Sequence, residues 1–383
     1  MMLKGTIRCD RWLLWTALFL LTVGTITVYT SSVYFAHTRM GSSNALFQMY
    51  LLRLGLGVLV MWGCYKIDHR WYRKHAKKAM LLSIMLLVFT VVFPENSRGA
   101  TSTFMGVQPN EIAKLVLVVY LADVLSRRQD ELVDFARGLL PRLVFVGIVV
   151  GLMALQQDFG SALGISLLAF TMLFLGGARL HHIGALALAA APLAYLAATT
   201  VDRISGRVGV WRSMFDLSMD GVNTRELAYQ VYQSLIAFGS GGLKGRGIGS
   251  SLQRAFIPDS HTDFAFSIWG EELGLLGALF VVALFVLLTL RGLRIARRQQ
   301  DLYGMLLGSG LTIMVALYAA INIGVVTGTI PTTGLPLPFL SYGGMALVAN
   351  MAAVGILLNM SKRTVLDGPA VAAGRENRRR KRS

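Results

Sequence analysis

Charge is scarce in this sequence. Charged residues make up 15% of its 383, and acids are the scarcer sign, 20 against 37 lysines and arginines. Soluble domains carry a charged fraction of about 25%, so a pair of ordinary soluble domains is excluded. Apolar residues fill the gap at 54%, with a mean hydropathy of +0.57, which is the profile of a polytopic membrane protein. Cysteine is nearly absent as well. Only Cys9 and Cys64 occur, neither beside a cluster of ligand-type side chains, so no disulfide framework is expected.

What is present is a series of apolar runs. A bilayer core is crossed by about twenty apolar residues, and about ten such runs occur, at 12–34, 46–66, 79–95, 111–126, 140–156, 161–178, 183–201, 264–290, 303–327 and 342–360. The expected fold class is all-α, a polytopic membrane protein of about ten transmembrane helices with one long extracytoplasmic loop at 202–261. A cytoplasmic lead (1–11) precedes this membrane domain (12–361), and a basic cytoplasmic tail (362–383) follows it. The first run has basic flanks and no small-residue cleavage site, which marks a retained span. The fourth is the weakest, being short and carrying Glu111 and Lys114.

A net charge of +17 invites a nucleic-acid reading. The placement of the cations argues against it. With the N-terminus inside, alternate connections hold Lys4, Arg8 and Arg11, then Arg70, Arg73, Lys74, Lys77 and Lys78, then Arg127, Arg128, Arg137 and Arg142, then Arg179, then Arg291, Arg294, Arg297 and Arg298. The short outer loops have little beyond Arg39 and Arg98. This is the positive-inside pattern, so the charge sets topology and puts both termini in the cytoplasm. The segment DHRWYRKHAKK reads as an inner loop anchored to anionic headgroups, with His69 and His75 solvated among the cations.

That topology gathers the chemistry-bearing residues on the outer face. Glu111 and Lys114 share one helical face and can pair, and a lone charge at membrane depth is costly enough to count as a functional candidate. Asp158 stands in the tight turn QQDFG, either as a turn-forming residue or as part of a site. The long loop carries Arg203, Arg207, Arg212, Arg225, Lys244, Arg246 and Arg254 against the inside bias, which an anionic ligand in the outer leaflet would explain. Within it, ELAYQVYQSLIAF has the spacing of an amphipathic helix at the membrane surface. GSGGLKGRGIG has six glycines in eleven residues, a backbone that can approach an anion closely or simply turn. His261-Thr262-Asp263 stands at the start of the eighth span, where a carboxylate is either a helix cap or a reactive group. Glu271 and Glu272, further into that span, suit binding to a neighbouring helix or polar backbone. TGTIPTTGLPLPFLSYGG reads as a re-entrant or tightly packed loop.

At these residues the sequence resembles the SEDS family, the FtsW/RodA/SpoVE polymerases of bacterial cell-wall synthesis. The matching runs are QPNEIAKLVLVVYLA (108–122), QQDFGSAL (156–163), YQVYQSLIAFGSGGLKGRGIGSSLQ (229–253), PDSHTDFAFSIWGEELGLLG (258–277) and NIGVVTGTIPTTGLPLPFLSYGG (322–344). The form TTGLPLPFLSYGG is nearer to the divisional, FtsW-type members than to the RodA type. The resemblance implies a peptidoglycan glycosyltransferase that polymerises lipid II on the outer face of the cytoplasmic membrane at the division septum. It implies Asp263, in the HTDF run, as the essential acid and general base, with Glu111, Lys114 and Asp158 as a polar network near it. Arg207, Lys244, Arg246 and the glycines Gly241, Gly242 and Gly245 would meet the leaving pyrophosphate, and His261, Thr262, Ser341 and Tyr342 complete the candidate substrate contacts. Implied partners are lipid II, a class B penicillin-binding protein that crosslinks the strands, and other membrane proteins of the division machinery. No nucleic acid is expected. No cofactor is evident, and a divalent cation stays open.

The chain departs from the family pattern at Thr101-Ser102-Thr103-Phe104, where an Arg-Arg-Trp-like run is usual, and in QQDFG and PNE. Substrate contacts near Gly99–Met105 are thereby in question; Asp263 is untouched. An elongation polymerase of the RodA type, a lipid II flippase and a division scaffold with a dead site are the rival readings.

Overall fold

The computed structural model describes residues 9–40, 44–93, 108–127, 135, 139–216, 225–258 and 260–366. The Thr101–Phe104 departure, Arg98 and most of the two terminal segments fall outside them. Among the described residues the chain is helical throughout, with no strand: α1 (Arg11–Met40), α2 (Ala45–Lys66), α3 (His69–Val92), α4 (Pro109–Arg127), α5 (Leu140–Leu155), α6 (Phe159–Leu175), α7 (Leu180–Thr200), α8 (Asp202–Asp216), α9 (Arg225–Gly241), a 3₁₀ turn at Gln253–Ala255, α10 (Ala265–Arg297), α11 (Leu302–Val326) and α12 (Gly344–Leu366). The apolar runs are all found as helices, α1 to α7 and α10 to α12.

Length and composition suffice for a membrane span in α1, α2, α3, α7, α10, α11 and α12, while α5 and α6 are shorter apolar helices. The exception is α4, which holds Glu111, Lys114, Asp123 and Arg127. Lipid would penalise those charges. Accordingly α4 is enclosed by protein, burying Ala113, Leu117, Val118, Leu121 and Leu125 against α3, α6 and α11.

Two expectations change. The basic segment after Asp68 is the opening of α3, which begins ten residues earlier than its apolar run. Lysine and arginine are good helix formers, and the Asp68 carboxylate caps the first turn by accepting from Arg70 N at 3.0 Å. His69 is buried instead of solvated, at 1% exposure, with its ring stacked 6.4 Å from that of Tyr303. The long segment 202–261 contains two helices, α8 and α9. The amphipathic run forms α9 as expected, and its buried face (Val231, Ser234, Ala237) packs on α10 and α11. Ser234 Oγ lies 2.6 Å from Ser267 Oγ and donates to Val326 O at 2.6 Å.

The longest helix, α10, is broken at Gly274 (φ 65°, ψ −163°). A break frees carbonyls before it and amides after it, and a bilayer offers neither a partner. The glycine-rich loop supplies both. Arg246 N and Gly247 N donate to the carbonyls of Glu271 and Glu272 at 3.0 and 2.9 Å, and Leu275 N and Leu276 N donate to those of Gly242 and Leu243 at 2.8 and 3.3 Å. Only glycines permit this approach, since a Cβ on Gly245 would lie 2.2 Å from Glu272 O.

Candidate functional site

The starts of α4, α6 and α10, the end of α11 and the loop 327–343 meet at one end of the bundle. Asn322, in the last turns of α11, is the tie between them. Its amide Nδ2 donates at 2.8 Å both to the carbonyl of Asp263 and to that of Leu335. Asp263 is thus held by its backbone against the loop, half-buried, one residue before Phe264, the N-cap position of α10.

Across the loop from Asp263 stands Arg207 of α8. Arg207 Nη2 and Asp263 Oδ2 each lie 3.7 Å from the point where a Cβ would sit on Gly334 (φ +78°), so a side chain at 334 would enter the space between them. Arg207 Nη1 donates to Thr333 O at 3.1 Å, and Nε is buried without a hydrogen-bond partner. Burial, and after it neighbouring Arg203, lowers the guanidinium pKa, while Asp263 and Asp158 oppose this. An arginine stays charged under such a shift, so a cation is fixed beside the carboxylate.

The second part of the site is the start of α4 against α6. Asp158 is the turn and cap residue its sequence allowed, and it also ties α6 to α4. It caps α6 by accepting from Ser161 N at 3.1 Å, and its other oxygen accepts from Asn110 Nδ2 at 2.7 Å. Lys114, 2% exposed, donates to Glu111 Oε1 at 2.5 Å and lies 4.3 Å from the centroid of the Tyr318 ring. A narrow crevice runs beside this pair, lined by Glu111, Lys114, Tyr318, Pro336, Pro338 and Asn350 among others, with a volume of about 10 Å³, enough for about one water.

The third part joins the HTD segment to the proline-rich loop. Tyr342 N donates to His261 O at 2.8 Å, and the two rings meet edge to face at 5.3 Å. Ser341 is buried and accepts from Leu337 N at 2.9 Å, which braces the loop. Thr262 is half-buried between His261 and Asp263. The loop is as tightly packed as its composition suggested, with Leu335, Leu337, Phe339 and Leu340 buried. Arg53, unremarked in the sequence, joins here, its guanidinium 5.1 Å from the Tyr342 ring centroid. A signal for it existed, since a charge inside the run 46–66 is costly.

Gly241, Gly242, Gly245 and Arg246 lie apart from Asp263 along α10, with the amides of Gly245, Arg246 and Gly247 donating to protein carbonyls. Arg246 reaches Glu271 at 3.8 Å, and Lys244 is exposed. Glu271, fully buried, accepts from Ser240 Oγ, Ser251 Oγ, Leu252 N and Gln253 N at 2.5–3.2 Å. A bare buried carboxylate would cost several kcal/mol, so these donors identify Glu271 as the clamp that holds the segment 240–253 on α10. Among the described residues, no group of three or more His, Cys, Asp or Glu is placed to hold a metal ion.

Comparison with known proteins agrees with this architecture. The FtsW/RodA/SpoVE cell cycle protein family matches residues 11–365. "Probable peptidoglycan glycosyltransferase FtsW" of Geobacter metallireducens is 36% identical over 368 residues, covering 94% of this chain and 96% of that protein. Stage V sporulation protein E of Bacillus subtilis is 36% identical, covering 90% of this chain and 94% of that protein. Among solved structures, a chain from a study of polymerization and crosslinking by a peptidoglycan synthase complex superposes with a TM-score of 0.75 at 26% identity, covering 94% of this chain and 99% of that one. The rod shape determining protein RodA of Thermus thermophilus superposes at 0.65 with 27% identity, covering 92% and 96%. Ten apolar helices in the expected order, a carboxylate tied beside an arginine at one end, and these likenesses along nearly the whole chain place it in the FtsW/RodA/SpoVE family.

Proposed function

We propose that this protein is a peptidoglycan glycosyltransferase that polymerises lipid II, with Asp263 as general base. The observation that carries the reading is the fixed juxtaposition of a half-buried carboxylate, Asp263, with a half-buried guanidinium, Arg207, at the end of the bundle where the loops gather. Asp263 takes the proton of the sugar hydroxyl as its oxygen bonds to the anomeric carbon of a second lipid II. The bond from that carbon to the pyrophosphate oxygen breaks, and undecaprenyl pyrophosphate leaves as an anion. Arg207 is suited to receive that charge, and Glu111, Lys114 and Asp158 order the polar wall beside it.

The finer statements belong to the same proposal. The FtsW-named relatives support a septal role, and the charge alternation supports an inner-membrane protein with both termini cytoplasmic. A class B penicillin-binding protein is the proposed partner, with other division proteins around it. In favour of a partner, one of the structures that superposes on this chain comes from a study of polymerization and crosslinking by a peptidoglycan synthase complex.

The test is polymerisation of purified, labelled lipid II by the protein with its cognate transpeptidase, wild type against Asp263→Asn and Asp263→Ala. Strands from wild type and a loss of at least about 100-fold in both variants, with unchanged thermal midpoints, is the expected result. Equal rates in all three would remove Asp263 from the chemistry. Transfer of labelled lipid II between leaflets without strands would favour a flippase.

A further inference from the structure

Lys114 is a buried cation whose surroundings are mostly apolar. From its own helix it meets Glu111; Asp158 and Asn110 lie nearby, Met314 and Tyr318 face it from α11, Asn350 from α12, and Pro336 and Pro338 from the loop. Tyr318 is 5% exposed, and the Lys114 ammonium lies against it, 4.3 Å from the ring centroid and close enough to act on the hydroxyl as well. The room for that ring is made by α6, where a Cβ on Gly164 would stand 2.8 Å from the Tyr318 oxygen. Ring face and hydroxyl are thus both offered to one cation, and the 4.3 Å approach to the centroid favours the ring as its seat. Tyr318 also lies one turn before Asn322, the residue that ties Asp263 to Leu335, so a single face of α11 addresses both parts of the site.

We propose that Tyr318 is a positioning residue for the reaction: its ring face seats the Lys114 ammonium and fixes that charge in the wall beside Asp263. The inference rests on the polymerase reading above and adds to it a residue that the sequence did not single out. The attraction is between a cation and the ring quadrupole, so it follows the electron density of the ring and not the hydroxyl.

The test uses the full-length protein with its transpeptidase partner and a series at position 318: Tyr, Phe, 4-fluorophenylalanine and 3,4,5-trifluorophenylalanine, with Tyr318→Leu as the ring-free end point. Fluorine withdraws density from the ring face while changing size little, so a packing role is insensitive to it. Phe is expected to polymerise lipid II within about twofold of wild type, the fluorinated residues progressively less, and Leu about tenfold less. The thermal midpoint is expected to fall in the same order. A rate independent of fluorine, with wild type active, overturns the seat as a positioning device and leaves the polymerase reading intact. Phe as slow as Leu overturns it in favour of the hydroxyl. An inactive wild type overturns the polymerase reading, and the midpoint series then decides the seat alone: a fall with fluorine keeps it, and a flat series removes it.

Discussion

At one end of the bundle Asp123 meets Arg73 at 3.1 Å and Arg127 at 2.7 Å, and Asp10 meets Arg291 at 2.6 Å. At the other end Arg207 donates to a carbonyl, Asp158 accepts from an amide and a backbone N–H, and Asn322 divides its amide between two carbonyls. Glu111 with Lys114 is an ion pair of that end too, but a buried one with a ring and a crevice beside it. The first end uses carboxylate–guanidinium pairs, within α4 and between it and α3, and between Asp10 and α10. The second uses neutral amides to hold loops, which leaves a guanidinium beside a carboxylate over a glycine. Fastening charges to each other yields stability, whereas fastening the backbone beneath them leaves charge for a substrate.

That contrast can be broken from either side. The largest effect after loss of Asp263 is expected from Asn322→Ala. Releasing the carbonyls of Asp263 and Leu335 shifts the carboxylate, and a misplacement of about 1 Å can cost on the order of 100-fold in rate. Lipid II polymerisation should fall at least about tenfold, with the lost hydrogen bonds costing about 1–3 kcal/mol in a denaturation series. A rate equal to wild type would show that Asp263 does not depend on this tie.

At the opposite end Asp123→Asn should do the reverse. Arg73 and Arg127 are 34% and 53% exposed and remain hydrated without their partner, so the loss is about 1–2 kcal/mol of stability, less than for a fully buried pair. The rate per folded molecule should stay within about twofold. A larger fall in rate at unchanged stability would mean that the two ends are coupled. The smallest effect is expected from Arg207→Lys, which keeps the charge and loses the guanidinium's planar fork. A loss of roughly threefold to tenfold, read as a higher KM for lipid II, would sharpen the contrast; no loss would reduce Arg207 to a plain countercharge.

Much of this was legible beforehand. The apolar runs located ten helices, because a bilayer tolerates few alternatives to a continuous apolar segment. The weak fourth run was weak for a physical reason, since α4 is surrounded by protein and can carry charge. Asp158 was left between turn and site, and the structure shows it capping α6 and accepting from Asn110. Harder to see were contacts that depend on tertiary closure. Nothing local marks Asn322 as the tie to Asp263 or Tyr318 as the neighbour of Lys114, because each partner lies on another helix. His69 looked solvated because the residues after it are basic, yet its own face of α3 turns towards Tyr303. The glycine-rich loop showed that backbone would be approached closely, without showing that the approaching group would be α10.

The break in α10 also bears on how the chain is assembled. The carbonyls of Glu271 and Glu272 and the amides of Leu275 and Leu276 take partners from residues 242–247, which leave the ribosome just before them. An α10 entering the membrane without that loop would carry four bare polar groups into lipid. The segment from α9 to the middle of α10 therefore meets the needs of its broken backbone without drawing on any helix that follows it. Lengthening the loop between 247 and 271 would delay that closure, and its cost would be read in the yield of inserted protein.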